Sequence, residues 1–241
     1  MYAVGEKYGF WKYVAPSPRY GHAMVCFQDS LLYLIGGCGG SDIYLNDVHI
    51  YDVVHNRWFR PISSTASASI AVSSSCILNS AAIPSGSNAN STLNLNTEFI
   101  SSANSAALPR PPPGRACHSA VIRGEQIYVF GGKNIEGELS DLYIFNLKLG
   151  WVKPHLSSTS GPGPTARSSH CACMVGPEMF IFGGKDDYQS SRELFSFNTE
   201  RMEWTQLTPH GPMPRCFGQT ACVLNDRIVS IPFFTDCVVS L

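Results

Sequence analysis

Apolar residues along this chain fall into short runs, each closed by turn-forming or polar positions, and the runs recur in a fixed order. The stretch from Arg115 to Trp151 shows that order most fully. Cys117 to Ile122 is a small-residue apolar run, and Gln126 to Phe130 is a β-branched and aromatic run that stops at Gly131 and Gly132. A polar loop from Lys133 to Ser140 follows, then Leu142 to Phe145 with alternating character, then Gly150 and Trp151 opening a fourth run. Runs this short, bounded by turn residues, predict strands. Four of them joined by turns predict one small antiparallel sheet.

The unit repeats. Arg19 and His22 precede a strand ending at Gly36 and Gly37, then Asn46 to Asp52, then Trp58. Arg167 and His170 precede a strand ending at Gly183 and Gly184, then Glu193 to Asn198, then Trp204. A worn fourth copy starts at Arg215, with Gly218 in place of the histidine, Ile231-Pro232 in place of the glycine pair, and strands expected over Thr220 to Leu224 and Arg227 to Ile231. Recurrence at a fixed period marks a repeat architecture in which each unit is one supersecondary element.

Arg-x-x-His, a strand ending in Gly-Gly, an aromatic strand and then Trp, at roughly fifty residues per unit, resembles the kelch repeat. The resemblance covers Phe10 to about Leu241 apart from one long interruption. It implies an all-β fold: a kelch-type β-propeller of four-stranded antiparallel blades, here partial, with about four recognisable blades. The resulting division is an outer strand of a split blade at 8–14, blades at 15–61, 109–154 and 161–207, and a degenerate blade at 211–241. Two readings of the ends stay open: that they complete one blade between them, or that the sequence is a piece cut from a longer propeller.

Residues 62–108 break the pattern. They contain one charged residue, Glu98, and are mostly serine, alanine and asparagine. Such a composition buries too little apolar surface to offset backbone ordering, about 1 to 2 kcal/mol per residue, so a disordered insert is expected. A decayed blade is the alternative: Arg19 to Arg115 spans 96 positions, against 52 and 48 for the next two intervals. The Pro-rich run Pro109 to Gly114 then returns the chain to the next blade in an extended form.

Composition narrows the setting. Forty-four per cent of the 241 residues are hydrophobic, as in a globular protein. No apolar run approaches the roughly 20 residues that span a bilayer, and the first residues lack a secretory signal pattern. A cytoplasmic location is therefore expected, with the nucleus left open, and no membrane partner. A net charge of −1 with dispersed charges gives no basic stripe for nucleic acid. Nine cysteines without framework spacing read as reduced, structural thiols. Three of them, Cys26, Cys173 and Cys222, fall in two repeat slots: the sixth position after each arginine (Val25, Val121, Cys173, Ala221) and the seventh (Cys26, Ile122, Met174, Cys222) are expected to be apolar packing positions.

Candidate chemistry was weighed against this repeat frame. His22, His118 and His170 with Cys171 and Cys173 invite a metal site, but packed sheets lie about 10 Å apart and zinc ligands about 2.0 to 2.3 Å from the ion. No metal ligands, catalytic residues or cofactors are assigned. Gly36, Gly37, Gly131, Gly132, Gly183 and Gly184 lack the helix and Lys-Ser/Thr of a phosphate loop and are read as structural, as are Trp58, Trp151 and Trp204. Arg19, Arg115 and Arg167 have two readings, tying loops together or contacting a partner; the resemblance keeps them as lower-ranked binding candidates. The leading candidates lie on the loops after each glycine pair, which differ while their frames agree: Tyr44, Glu136, Asp186, Asp187, Tyr188 and Arg192.

The expected function is a protein-interaction module in which inter-strand loops bind a partner protein or peptide, acting as a scaffold or substrate-recruiting adaptor. No F-box or BTB segment is visible. Two alternatives follow from the resemblance: a metal-dependent enzyme on the same fold, oxidase-like or specifier-like, and a decayed, non-functional fragment.

Overall fold

The computed structural model describes residues 11–12, 15–61, 110–186, 188–209, 213, 215–225 and 227–231. The insert at 62–108 lies outside them, as do residues 232–241 of the expected degenerate blade. All the described residues belong to one compact unit, 1–62 with 109–241. They form strands and turns, with no helix.

After β1 (Trp11–Lys12), the first blade comprises β2 (Ala23–Phe27), β3 (Leu31–Gly39), β4 (Ile43–Asp52) and β5 (Arg57–Pro61). The second has β6 (Ser119–Arg123), β7 (Gln126–Phe130), the short pair β8 (Lys133–Asn134) and β9 (Gly137–Glu138), then β10 (Leu142–Asn146) and β11 (Gly150–Val152). The third has β12 (Cys171–Val175), β13 (Glu178–Phe182), β14 (Leu194–Asn198) and β15 (Glu203–Leu207); a fourth sheet has, among the described residues, β16 (Thr220–Leu224) and β17 (Arg227–Ile231). Each blade is an antiparallel meander, and the first strands of successive blades neighbour one another. Stacked four-stranded antiparallel meanders of this kind are the architecture of part of a β-propeller.

The third and fourth strands of each blade are joined by the same device. Asp52 Oδ1 accepts from the backbone N–H groups of Val54 and His55, Asn146 Oδ1 from those of Lys148 and Leu149, and Asn198 Oδ1 from those of Glu200 and Arg201. A short polar side chain that caps its own following turn is why Asp and Asn recur at this place.

Apolar side chains pointing to opposite faces of each blade build three cores. Val25, Tyr33 and Ile50 of the first blade meet Ile127, Val129 and Phe145 of the second. Val121, Tyr128 and Phe130 of the second meet Met179, Ile181 and Phe197 of the third. Cys173, Phe182 and Leu194 of the third meet Ile228 of the fourth. Two of the repeat tryptophans close these cores from outside: Trp204 lies 4.8 Å from Phe197 and 5.4 Å from Phe130, and Trp151 lies 5.2 Å from Phe145, whereas Trp58 packs on Tyr51 at 5.0 Å outside the first core.

The first glycine of each pair is needed because a side chain of the next blade occupies the space its Cβ would take, and the second because the histidine of its own blade does. A Cβ on Gly36 would lie 3.0 Å from His118 Cε1, one on Gly131 3.0 Å from His170 Cε1, and one on Gly183 2.3 Å from Gln219 Nε2. All six glycines of the pairs have positive φ, closed to branched residues. The second glycine of each pair also donates its N–H to the next blade, Gly37 to Arg115 O, Gly132 to Arg167 O and Gly184 to Cys216 O, all within 2.8 to 2.9 Å. Inside these, a ladder runs from blade to blade: Cys117 N–H to Gly21 O, Ser169 N–H to Cys117 O, and Gly218 N–H to Ser169 O, at 2.7 to 2.8 Å.

Three expectations change. The fourth repeat is set one residue later than its sequence suggests: Cys216, not Arg215, takes the arginine's place, and Gln219, not Gly218, the histidine's. Trp11–Lys12 does not extend a split blade but pairs with Pro61 and Arg60 as a fifth strand outside the first blade. The seventh-position cysteines are not buried packing residues: Cys26 and Cys222 are exposed, whereas Cys173 is buried. The seventh position of the first blade faces away from the stack. In the fourth repeat, the one-residue offset turns Cys222 outward.

Candidate functional site

In a four-stranded meander the loop between strands two and three and the segment crossing to the next blade emerge at the same end. Here the two are stitched together. Tyr20 bridges Cys38, Ala116 bridges Lys133, and Ser168 bridges Lys185, so each glycine-pair loop is paired with its own blade's incoming segment. It also holds the next blade's segment: Arg115 N–H donates to Leu45 O, Arg167 N–H to Leu139 O, and Asn46 Nδ2 to Pro112 O.

The loops themselves are closed by pairing and turn hydrogen bonds. In the first, β3 and β4 run on past a register shift at Ile35/Gly37 until Gly39 faces Ile43, and the tip turns through Ser41 and Asp42 at φ of 61° and 58°. In the second, β8 and β9 pair Lys133 with Glu138 and Asn134 with Gly137, and Asn134 Oδ1 accepts the Glu136 N–H at 2.8 Å. In the third, Lys185 bridges Ser190, and Asp186 Oδ1 accepts the N–H groups of Tyr188 and Gln189 at 2.9 and 2.8 Å. Those two backbone donors hold the Asp186 carboxyl below its ordinary pKa.

Each tip turns one large apolar side chain to solvent. Ile43 is 60% exposed, Ile135 76% and Tyr188 94%, with Tyr20 at 58% beside the first loop. Of the residues singled out from sequence, Tyr188, Glu136 and Arg192 are exposed on these loops. Tyr44 is half-buried, its carbonyl pressed so close to Gly114 that a Cβ there would lie 2.1 Å away. Asp186 holds the turn, and Asp187 lies outside the described residues. Ile43 and Ile135 were missed. Their signal is a lone β-branched residue among glycine and acidic turn formers, in a segment where the repeat template has no strand.

The repeat arginines are engaged within their own blades. Arg115 and Arg167 are 1% exposed. Arg115 donates to Pro113 O, to Gly131 O and, through both terminal nitrogens, to the Asp141 carboxylate at 2.6 and 3.0 Å. Arg167 donates to Thr165 O, Gly183 O and Glu193 Oε2, and Arg19 to Ser17 O, Gly36 O and Asp47. These three residues therefore leave the set of partner-contacting candidates, because their donors are used and their side chains covered. Their carboxylate partners Asp47, Asp141 and Glu193 were also missed, although each follows its arginine at a near-constant offset of 28, 26 and 26 positions. Burial opposes ionisation of Asp47, but His49 and Arg19 outweigh it and hold the carboxyl far below its usual range.

The histidines and cysteines do not make a second site. Burial, with the Arg115 charge adding to it, pushes His118 down to about 3, and burial with Arg167 does the same to His170. Cys171 donates to Gln219 O, and burial pushes its thiol up to about 12 and that of Cys173 up to about 11, so both stay protonated. Among the described residues no three His, Cys, Asp or Glu side chains come together as a ligand set.

Comparison with known proteins follows this geometry. The family model described as "Kelch motif" matches residues 18–60, and the one described as "KLHDC2/KLHL20/DRC7 Kelch-repeats domain" matches residues 80–237. Human Kelch domain-containing protein 3 is 28% identical over 238 residues, covering 90% of this chain and 61% of its own length. Human Host cell factor 2 is 25% identical over 248 residues, covering 88% of this chain and 30% of its own length. Rho GTPase-activating protein gacHH of Dictyostelium discoideum is 35% identical over 131 residues, 50% of this chain and 8% of its own length. The chain thus spans about three-fifths or less of the length of these relatives.

Proposed function

The chain belongs to the kelch-repeat family, and from that premise we propose that it is a protein-binding module whose reading surface is the row of loop tips carrying Ile43, Ile135 and Tyr188. The observation that carries this reading is the pairing of exposure with hydrogen-bonded turns. An apolar side chain left in water costs solubility and contributes nothing to the core, yet each of the three hairpins spends its own hydrogen bonds on holding one in place. Binding gains most from such anchors, since little entropy remains to be lost when a partner covers them. Glu136 and Arg192 supply polar groups beside the anchors. A scaffold or recruiting role for the complex so formed is the finer part of the proposal.

The test is affinity capture with the wild-type chain and with an Ile43→Ser, Ile135→Ser, Tyr188→Ser triple variant, alongside thermal melting of both. The proposal expects specific partners of the wild type to be lost from the variant while melting is little changed. Retention of every partner by a normally folded variant would overturn it.

A further inference from the structure

Backbone bonds between blades fix which residues correspond. Arg115 N–H donates to Leu45 O, Arg167 N–H to Leu139 O and Cys216 N–H to Ser191 O, so Gly114, Ala166 and Arg215 hold equivalent places, as do Tyr44, Glu138 and Ser190. Gly114 lies against the preceding blade's loop, so close that a Cβ there would stand 2.1 Å from Tyr44 O. Of the three equivalent residues only Arg215 has a long side chain. The one-residue offset of the fourth repeat thus moves an arginine out of the place where it would tie its own blade and onto the third loop. Its Nη1 donates to Gln189 Oε1 at 2.6 Å and to Ser190 O at 3.0 Å, one and two residues past Tyr188.

Both acceptors are neutral. Arg19, Arg115 and Arg167 instead each hold a carboxylate, that of Asp47, Asp141 or Glu193, which cancels their charge inside the frame. The charge of Arg215 is carried onto the tip, where Arg215 and Arg192 are both exposed. Lys185 adds a third cation, 5.4 Å from the centre of the Phe217 ring. Charge along the row of tips therefore changes sign. The first loop, 38–45, holds one carboxylate, Asp42; the second, 133–140, sets Lys133 against Glu136 and Glu138; the third, 185–192 with Arg215, sets three cations against Asp186 and Asp187. Asp186 Oδ1 already accepts the N–H groups of Tyr188 and Gln189.

We propose that the third loop takes a carboxylate: an acidic side chain on a peptide segment of a partner protein pairs with Arg215 and Arg192 while a neighbouring apolar residue of that segment covers Tyr188. The inference rests on the loop-tip reading above and names the class of partner, a segment whose acidic residues lie next to apolar ones. A guanidinium suits this role because its planar fork matches a carboxylate. The bonds to Gln189 and Ser190 hold that fork in place beside the aromatic anchor, so little side-chain freedom is lost when a partner arrives. The carboxylates of the first two loops disfavour the same acidic group there, which sets the direction in which the segment lies along the row.

The experiment pans a random peptide library displayed on phage against the full chain and against Arg192→Gln, Arg215→Gln, Tyr188→Ser and the double variant Arg192→Glu, Arg215→Glu, each checked for folding by thermal melting. The wild type should select segments rich in Asp and Glu beside apolar residues. In fluorescence polarisation either glutamine variant should weaken a selected peptide about tenfold or more, the usual worth of a hydrogen bond to a charged group, and added salt should weaken the wild-type complex in the same direction. The double glutamate variant should select basic segments instead. Selection of no peptide, selection without acidic enrichment, or acidic selection that survives both glutamine substitutions would overturn the proposal. Loss of selection in Tyr188→Ser alone would keep the loop tip as a reading surface and remove the carboxylate site. Acidic selection that needs the arginines but is untouched by Tyr188→Ser would do the reverse.

Discussion

Arg167 and Tyr188 belong to the same blade and lie at the same end of it. Arg167 is 1% exposed and fixed by bonds to Thr165, Gly183, Ser191 and Glu193. Tyr188 is 94% exposed, and the bond that orders it is made by its backbone N–H. The arginine's charge is consumed in joining the strand ends of its blade, so it cannot be withdrawn without leaving buried acceptors unpaired. The tyrosine ring is almost fully exposed, so its removal should be felt chiefly by whatever binds there. One segment holds the frame while a neighbouring one is free to vary, and substitutions should separate the two by size of effect.

The largest loss is expected at the frame's apolar margin. Trp204→Ala should cost about 3 to 5 kcal/mol, through lost transfer energy and the cavity left beside Phe130 and Phe197. Urea denaturation measures it; a loss close to that of an exposed substitution would mean the tryptophan does not close the core. Arg115→Ala should cost roughly 2 to 3 kcal/mol. That is less than the roughly 3 to 5 of a fully buried pair, because the Asp141 side chain is 28% exposed and regains water. Arg115→Lys should not restore melting, since a single ammonium cannot make the two-pronged contact with Asp141. Full rescue by lysine would show that charge alone suffices there.

A smaller effect tests the histidines. His118 and His170 are pushed down to about 3 in the folded chain, against an ordinary value of about 6.5. The unfolded chain therefore takes up protons first, and stability present above pH about 6.5 drains away as the pH falls towards about 3, at up to about 1.4 kcal/mol per pH unit for each ring. The fourth repeat already carries the control, because Gln219 fills the same place and donates to Phe182 O. His170→Gln should fold and should flatten the fall in melting temperature between pH 6.5 and 5. An unchanged slope would place the acid sensitivity elsewhere. Smallest of all, Ile135→Ala and Tyr188→Ala should each shift stability by no more than about 0.5 kcal/mol. A larger shift in thermal melting would transfer those tips from reading surface to frame.

How much of this was legible beforehand depended on whether a residue answers to its own neighbours or to another blade. The strands Gln126–Phe130, Thr220–Leu224 and Arg227–Ile231 were readable because β-branched runs between turn residues have few alternatives, and the repeat made the blade count readable. The glycine pairs announced themselves as backbone features, but why they must be glycine did not: the obstacle to the first of each pair is a side chain from the next blade, His118 for Gly36, His170 for Gly131 and Gln219 for Gly183, which lie 82, 39 and 36 positions further along the sequence. For the same reason Arg215 was a plausible fourth arginine until inter-blade bonds set the register on Cys216. Asp47, Asp141 and Glu193 looked like ordinary polar residues at strand starts, since only folding brings them to their arginines. The loops were identified as variable and exposed from sequence, but which side chain each tip would expose was decided by turns closing through Asn134 and Asp186. Sequence by itself determined the strand pattern, the repeat and the loops, because these follow from local periodicity. Burial, register and the exposure of Cys26 and Cys222 were decided by tertiary structure alone, because each depends on whether another blade covers the residue.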